Sequence, residues 1–360
     1  MHLVQFRASN FRLFQDLSLS FHDRLNVFFG ANAAGKTTLL EAVYSLGRGK
    51  SFRASGPQEL AGPAGANWTV FARQAVPDQP ARQLGLQWTS GGFAIRINGE
   101  VAGTLELLRS LPVQVLEPGM HRVLQEGPTY RRSFLDWGVF HVEPQFLECW
   151  RRYRRALRQR NHLLRQQGGP RELAVWEPEL AETGEALHGF RRQHLDRLRP
   201  MAESLAARFL DEGDWSFELT PGWPADKGLA EALAEGRDRD RRLGSTHDGP
   251  HRAELRIRAG ARSARSRISR GQQKLLIAAL LLAQCEQIRA VSGIAPVLLV
   301  DDFPAELAQG FQAHLIEALL AYPGQVFITA FEPTVALHPE LNGAMFHVER
   351  GHVTPWRTGS

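Results

Sequence analysis

Residues Gly30-Ala31-Asn32-Ala33-Ala34-Gly35-Lys36-Thr37-Thr38 set a glycine, four residues and then Gly-Lys-Thr between an apolar run, Leu25 to Phe29, and a helix-forming segment, Lys36 to Leu46. In that order, backbone N–H groups and a helix N-terminus surround phosphate oxygens, a lysine reaches the β and γ phosphates, and a hydroxyl holds Mg²⁺. Lys36 and Thr37 stand where those last two roles fall, so the chemistry expected is the binding of ATP with Mg²⁺. A second string supports it. Val297-Leu298-Leu299-Val300 reads as a buried parallel strand, and it ends in Asp301-Asp302 at the edge where open α/β sheets bind ligands. There Asp301 would hold Mg²⁺ through water and Asp302 would orient or activate the attacking water.

Between these strings lies Ser269-Arg270-Gly271-Gln272-Gln273-Lys274, directly before an apolar helix, 271–287. Ser269, Gly271 and Gln272 can present free helix N–H groups to a phosphate. The same residues also suit an ordinary serine cap, and the string alone does not decide between the two.

The elements that must position these groups follow from periodicity. Strands are expected over 3–9, 17–21 and 25–29, then over 68–73, 83–90 and 93–98, with a Pro/Gly/Ala-rich loop at 56–65. Long helices follow from about Pro128. One is arginine-rich, 148–166, and a second runs over 178–210, its leucines at helical spacing, so the pair can form an antiparallel hairpin. An alternating strand at 253–258, the helix 271–287, the strand 297–300, a helix 306–320 and the strand 325–330 complete the order. The fold class expected is therefore α/β: a phosphate-loop head in two parts, 1–118 and 251–360, with an inserted, mainly helical arm, 119–250.

The chain has 360 residues, 43% of them hydrophobic, enough to bury a sizeable core. Cys149 and Cys285 fit neither a zinc cluster nor a redox pair, and the sequence starts with a strand pattern rather than an export signal. A cytoplasmic protein without a membrane span is expected. The net charge of +5 favours an anionic partner, and nearly all the basic residues are arginine, with lysine only at 36, 50, 227 and 274. Arginines cluster at 151–160, with Arg151, Arg154, Arg155 and Arg158 as candidate DNA contacts, and again at 256–270, with Arg262 and Arg265 as candidates. No base-reading motif accompanies them, so DNA would be bound without sequence specificity.

The chain closely resembles the RecF family of bacterial DNA replication and repair proteins, relatives of the SMC-type ABC ATPases. The strings that carry the resemblance are the phosphate loop, Leu46-Gly47-Arg48-Gly49-Lys50-Ser51-Phe52-Arg53, Arg131-Arg132-Ser133-Phe134-Leu135-Asp136-Trp137-Gly138, Gly249-Pro250-His251-Arg252, the Ser269 to Lys274 signature and Asp301-Asp302-Phe303. The resemblance implies an ATP-dependent homodimer in which Ser269 of one copy faces the γ-phosphate held by Lys36 of the other. It also implies slow hydrolysis, binding to duplex DNA near single-strand gaps, action with RecR and, indirectly, with RecA, and support of the SOS response. Thr329 stands where transporter ATPases keep a histidine, and is the candidate γ-phosphate sensor; Gln114 is the candidate link between arm and Mg²⁺. Two departures stand out. Ala33 replaces a family glycine, and Ala305-Glu306-Leu307-Ala308 replaces Ser-Glu-Leu-Asp. The second keeps open a scaffold that binds ATP and hardly hydrolyses it; an ABC ATPase serving a non-DNA partner is the other alternative.

Overall fold

Alternation builds the first sheet. Leu3, Phe6 and Ala8 point inward while Gln5, Arg7 and Ser9 face solvent, giving strand β1 (His2–Phe11), which turns into β2 (Phe14–Ser20). The computed structural model describes residues 1–210, 214–302, 309–332 and 342–356. The apolar run forms β3 (Leu25–Phe29), buried at every position, and the phosphate loop leads into α1 (Lys36–Arg48). There follow β4 (Trp68–Val76), β5 (Gln79–Thr89), β6 (Gly92–Ile97), β7 (Glu100–Val101), a short helix α2 (Thr104–Ser110) and β8 (Val113–Leu116).

The helical region contains α3 (Arg122–Gln125), α4 (Pro128–Val142), α5 (Phe146–Arg165) and α6 (Pro170–Leu210). After β9 (Trp215–Thr220), α7 (Leu229–Glu235) and α8 (Arg237–Leu243) come β10 (Glu254–Ala259), β11 (Arg262–Ser263), α9 (Ala264–Arg267) and α10 (Arg270–Ser292). The chain then forms β12 (Val297–Val300), α11 (Gln309–Ala321), β13 (Val326–Ala330), β14 (Gly343–Glu349) and β15 (His352–Trp356).

These elements divide into two compact units, 1–120 with 288–360, and 121–287. In the first, an antiparallel sheet runs β2-β1-β4-β5-β6-β7, and a second sheet runs β15-β14-β3-β13-β12-β8. In the second sheet β14, β3, β13, β12 and β8 are parallel, which puts the ends of β3, β13, β12 and β8 on one edge. Gln325 bonds both backbone groups of Leu3, at 2.8 and 2.9 Å, tying β1 beside β13. Phe21, Phe28, Phe327 and Phe346 pack as one aromatic group, with Phe28 and Phe346 stacked at 4.9 Å. Leu39, Leu40, Val43 and Leu46 of α1 are wholly buried, and each such burial stabilises by about 1.5–3 kcal/mol. That packing holds Lys36 and Thr37 at the helix start.

The second unit is built on α5 and α6. Their pairing is antiparallel: Cys149 bonds the carbonyl of Thr183, Arg152 forks onto Glu179, and Arg160 reaches Glu177. Helix α6 runs straight through Pro178, where the sequence suggested a start. Leu173, Glu177, Leu180, Gly184, Leu187, Arg191, His194 and Leu198 keep a buried face at helical spacing, and this packing outweighs the loss of about 3 kcal/mol expected of an internal proline.

Residues 251–287 belong to this helical unit, whereas the sequence reading returned to the head at 251. The reason is strand pairing: β10 pairs with β9 along its whole length, and β9 had not been recognised. Arg191 forks onto Asp136 at 2.7 and 2.9 Å and bonds the Pro250 carbonyl at 2.7 Å. Thus two of the most family-specific strings, 131–138 and 249–252, are bolted together by one arginine. Gly249 admits no side chain, since a Cβ there would lie 2.5 Å from the Tyr153 hydroxyl.

Helix α10 is long and apolar enough to cross a membrane by composition, yet 72% of its apolar window is buried inside the protein, as in a core helix. Ala305, Glu306, Leu307 and Ala308 lie outside the described residues, as does the start of the helix expected at 306.

Candidate nucleotide site

The parallel register fixes what meets at the sheet edge. Val27 pairs with Ile328, Ile328 with Val300, and Val300 with Leu116, so Asp301 and Glu117 leave their strands level with Thr329, and Gly30 leaves β3 two residues further along the same edge. Gly30 has φ 151, and a Cβ on it would lie 2.2 Å from the Val348 carbonyl oxygen, so only glycine lets the loop turn there. The loop ends at Gly35, in a left-handed conformation before the first turn of α1. Ala33 is also left-handed at φ 62; this strains an alanine by about 1–2 kcal/mol.

Within the loop the Lys36 ammonium donates to the carbonyls of Gly30 and Ala31 at 2.7 and 2.8 Å. Burial holds its pKa below the ordinary lysine value, opposed by the charges of Asp302 and Asp301. The Thr37 hydroxyl donates to Asp301 Oδ1 at 2.9 Å, and the Thr329 hydroxyl donates to the same oxygen at 2.8 Å. Thr329 in turn accepts the backbone N–H of Asp302 at 2.7 Å. Burial pushes the Asp301 carboxyl above its usual range, against the two hydroxyl donors and with the Asp302 charge adding to the rise.

These groups line one cavity of about 830 Å³ together with Asn32, Ala33, Gly35 and Thr38 of the loop and the exposed Asp302. Sequence reasoning missed four further charged groups on its wall: Arg12, Arg53, Glu59 and Glu117. Arg12 is clamped on the buried Glu41 of α1 at 2.6 Å. Arg53 closes the family string 46–53, and that string was the available signal. Gln114 is buried inside β8 opposite Leu298, and Glu117, just beyond the strand, lines the cavity.

The signature residues lie in the helical unit. Ser269 caps α10 reciprocally with Gln272: the Ser269 N–H donates to Gln272 Oε1 at 2.9 Å and the Gln272 N–H to Ser269 Oγ at 3.3 Å. Ser269 is exposed and Gly271 partly so. Of the arginine candidates, Arg151, Arg154, Arg155 and Arg158 are exposed on α5, as are Arg262 and Arg265. Arg160 is instead wholly buried, bonded to Asp240 at 2.7 Å and to Thr246 at 2.9 Å.

The family described as RecF/RecN/SMC N terminal domain matches residues 2–354. The chain belongs to this family. It is 40% identical to the DNA replication and repair protein RecF of Stenotrophomonas maltophilia, covering 98% of this chain and 99% of that one. It is 38% identical to RecF of Stutzerimonas stutzeri, covering 98% and 97%. A solved structure described as the recombination mediator protein RecF-ATP in the RecFOR pathway superposes with TM-score 0.86 at 25% identity, covering 99% of this chain and 98% of that one. An SMC head bound to the C-winged helix domain of ScpA superposes with TM-score 0.60 at 14% identity over 100% of this chain and 98% of that one, a likeness of fold alone. The resemblance to RecF drawn from the motifs therefore holds along the chain, as does the fold class, an ABC- and SMC-like phosphate-loop head with helical insertions.

Proposed function

We propose that the chain binds ATP·Mg²⁺ in the cavity at the sheet edge, dimerises upon it, and in that state holds duplex DNA near single-strand gaps for the loading of a recombinase in the cytoplasm. The observation that carries this reading is the chain of bonds from Thr37 to Asp301 to Thr329 beside Lys36, all within one cavity. A hydroxyl and a carboxylate 2.9 Å apart, next to a buried ammonium, suit a divalent cation and a polyphosphate together. Thr37 and Asp301 would hold the Mg²⁺, which when bound neutralises phosphate charge. The loop from Gly30 to Thr38 supplies N–H donors, and Lys36 exchanges its two carbonyl partners for phosphate oxygens. Asp302, exposed in the same cavity, orients the attacking water and accepts its proton. Thr329 senses the γ-phosphate indirectly, by holding Asp301 and the Asp302 backbone.

The likeness to a solved RecF with ATP supports the ligand. Ser269, Gly271 and Gln272 then complete the site of a second copy, so that ATP acts as a dimer clamp and slow hydrolysis releases it. RecR, and indirectly RecA, are the partners this family membership supports.

Equilibrium binding of labelled ATP and single-turnover hydrolysis test the site. Lys36→Met is expected to lower ATP affinity at least a hundredfold. Asp302→Asn is expected to keep ATP binding and the ATP-bound dimer while slowing turnover at least a hundredfold. Full binding by the first variant, or full turnover by the second, would contradict these roles.

A further inference from the structure

A second cavity, of about 460 Å³, opens in the helical unit on the face of the sheet β11-β10-β9. Its wall carries Arg131, Arg256, Arg258 and Arg265, and Glu254 is its one acid. Glu254 is already neutralised, held by Arg131 in a two-bond fork at 2.6 and 3.0 Å. Among the described residues Arg256, Arg258 and Arg265 enter no ion pair. Glu218 faces Arg256 across the ladder without pairing with it. Three uncompensated guanidinium groups around a concave surface repel one another, and an anion relieves that repulsion.

The arrangement decides which kind of anion. Arg256 and Arg258 alternate with the buried Leu255 and Ile257, so both stand on one face of β10, about 6.8 Å apart along the strand. Arg265, at the start of the next helix α9, adds a third guanidinium on the same cavity wall. A single small anion would be satisfied by one guanidinium fork, whereas forks spaced along a strand match successive phosphates of one polymer. We infer that this pocket grips the sugar-phosphate backbone of DNA, with Arg256, Arg258 and Arg265 as its phosphate contacts. The inference rests on the reading above that DNA is the partner, and adds where one strand is held.

The test is the salt dependence of binding to a duplex with a single-strand gap, in the presence of ATP·Mg²⁺, for the unmodified chain and two variants. Arg256→Ala with Arg258→Ala removes two charges from the cavity wall and is expected to lower the slope of log affinity against log salt by about 1.8, with ATP binding unchanged. Glu254→Gln removes the lone acid and is expected to tighten DNA binding several-fold, a gain that misfolding cannot imitate. An unchanged slope in the double variant, while the unmodified chain binds DNA, overturns the pocket and leaves the DNA reading standing. Failure of the unmodified chain to bind DNA at any salt overturns both.

Discussion

At the scale of single residues the site turns on one carboxylate oxygen. Asp301 Oδ1 takes two hydroxyl donors, and its carboxyl is nevertheless pushed upward by burial. Removing a donor raises it further. Thr329→Val is therefore expected to weaken Mg²⁺-dependent turnover about tenfold and to shift its acid limb to higher pH, with ATP affinity less affected; Thr329→Ser should restore both. A pH–rate profile of the two variants checks this, and an acid limb that stays in place would show that Thr329 does not act through Asp301. Lys36, Thr37, Asp301 and Asp302 were legible in the sequence because each belongs to a short string whose neighbours in the chain are its neighbours in space. The Thr329 bond and the place of Glu117 were not. Both depend on the register of β12 against β13 and β8, which no local pattern encodes.

Among elements, the arginine-rich helix α5 shows two roles for one residue type. Arg160 follows Tyr153 and Ala156 along the buried face and meets Glu177 and Asp240, while Arg151, Arg154, Arg155 and Arg158 look outward. The sequence already held this distinction, since position 160 continues the apolar stripe, but counting charge alone obscured it. Arg160→Ala removes the buried cation between Glu177 and Asp240, which keep only the part-exposed Arg237 and Arg239, and is expected to destabilise the protein by about 3–5 kcal/mol, against less than about 0.5 kcal/mol for Arg154→Ala. Urea unfolding of both variants checks the contrast, and equal midpoints would refute it.

Two histidines, the buried His194 and the half-buried His251, make the same unit sensitive to acid. His251 donates from Nε2 to the Thr246 carbonyl at 3.0 Å, which leaves Nδ1 to accept the Tyr153 hydroxyl at 2.5 Å. Burial pushes His251 down to about 4, and His194 likewise to about 4. The unfolded chain takes up these protons near pH 6.5 and the folded one only near 4, so the stability they confer is complete above 6.5 and falls as pH drops through that window. The loss is roughly 3 kcal/mol per histidine. Unfolding free energies measured between pH 7 and 4 should show this decline, and His194→Gln should flatten part of it; a level profile would contradict the buried neutral state.

For the whole molecule, the division of labour between the two units is the main outcome. The head unit carries Lys36, Thr37, Asp301, Asp302 and Thr329, whereas Ser269, Gly271, Gln272 and all the candidate DNA arginines belong to the helical unit. The order of head, helical insertion and returning head was legible from periodicity. The true return point was not, because β9 follows α6 as a short six-residue strand whose partner, β10, lies more than thirty residues on. With the proposed catalytic and DNA-holding groups on separate units, nucleotide state is expected to govern DNA affinity. The direct test titrates duplex DNA with a single-strand gap at fixed, near-physiological salt, with and without ATP·Mg²⁺, for the unmodified chain and Lys36→Met. Binding that tightens at least tenfold with ATP in the unmodified chain alone is the predicted result; equal affinity in all four conditions would contradict nucleotide-gated DNA binding.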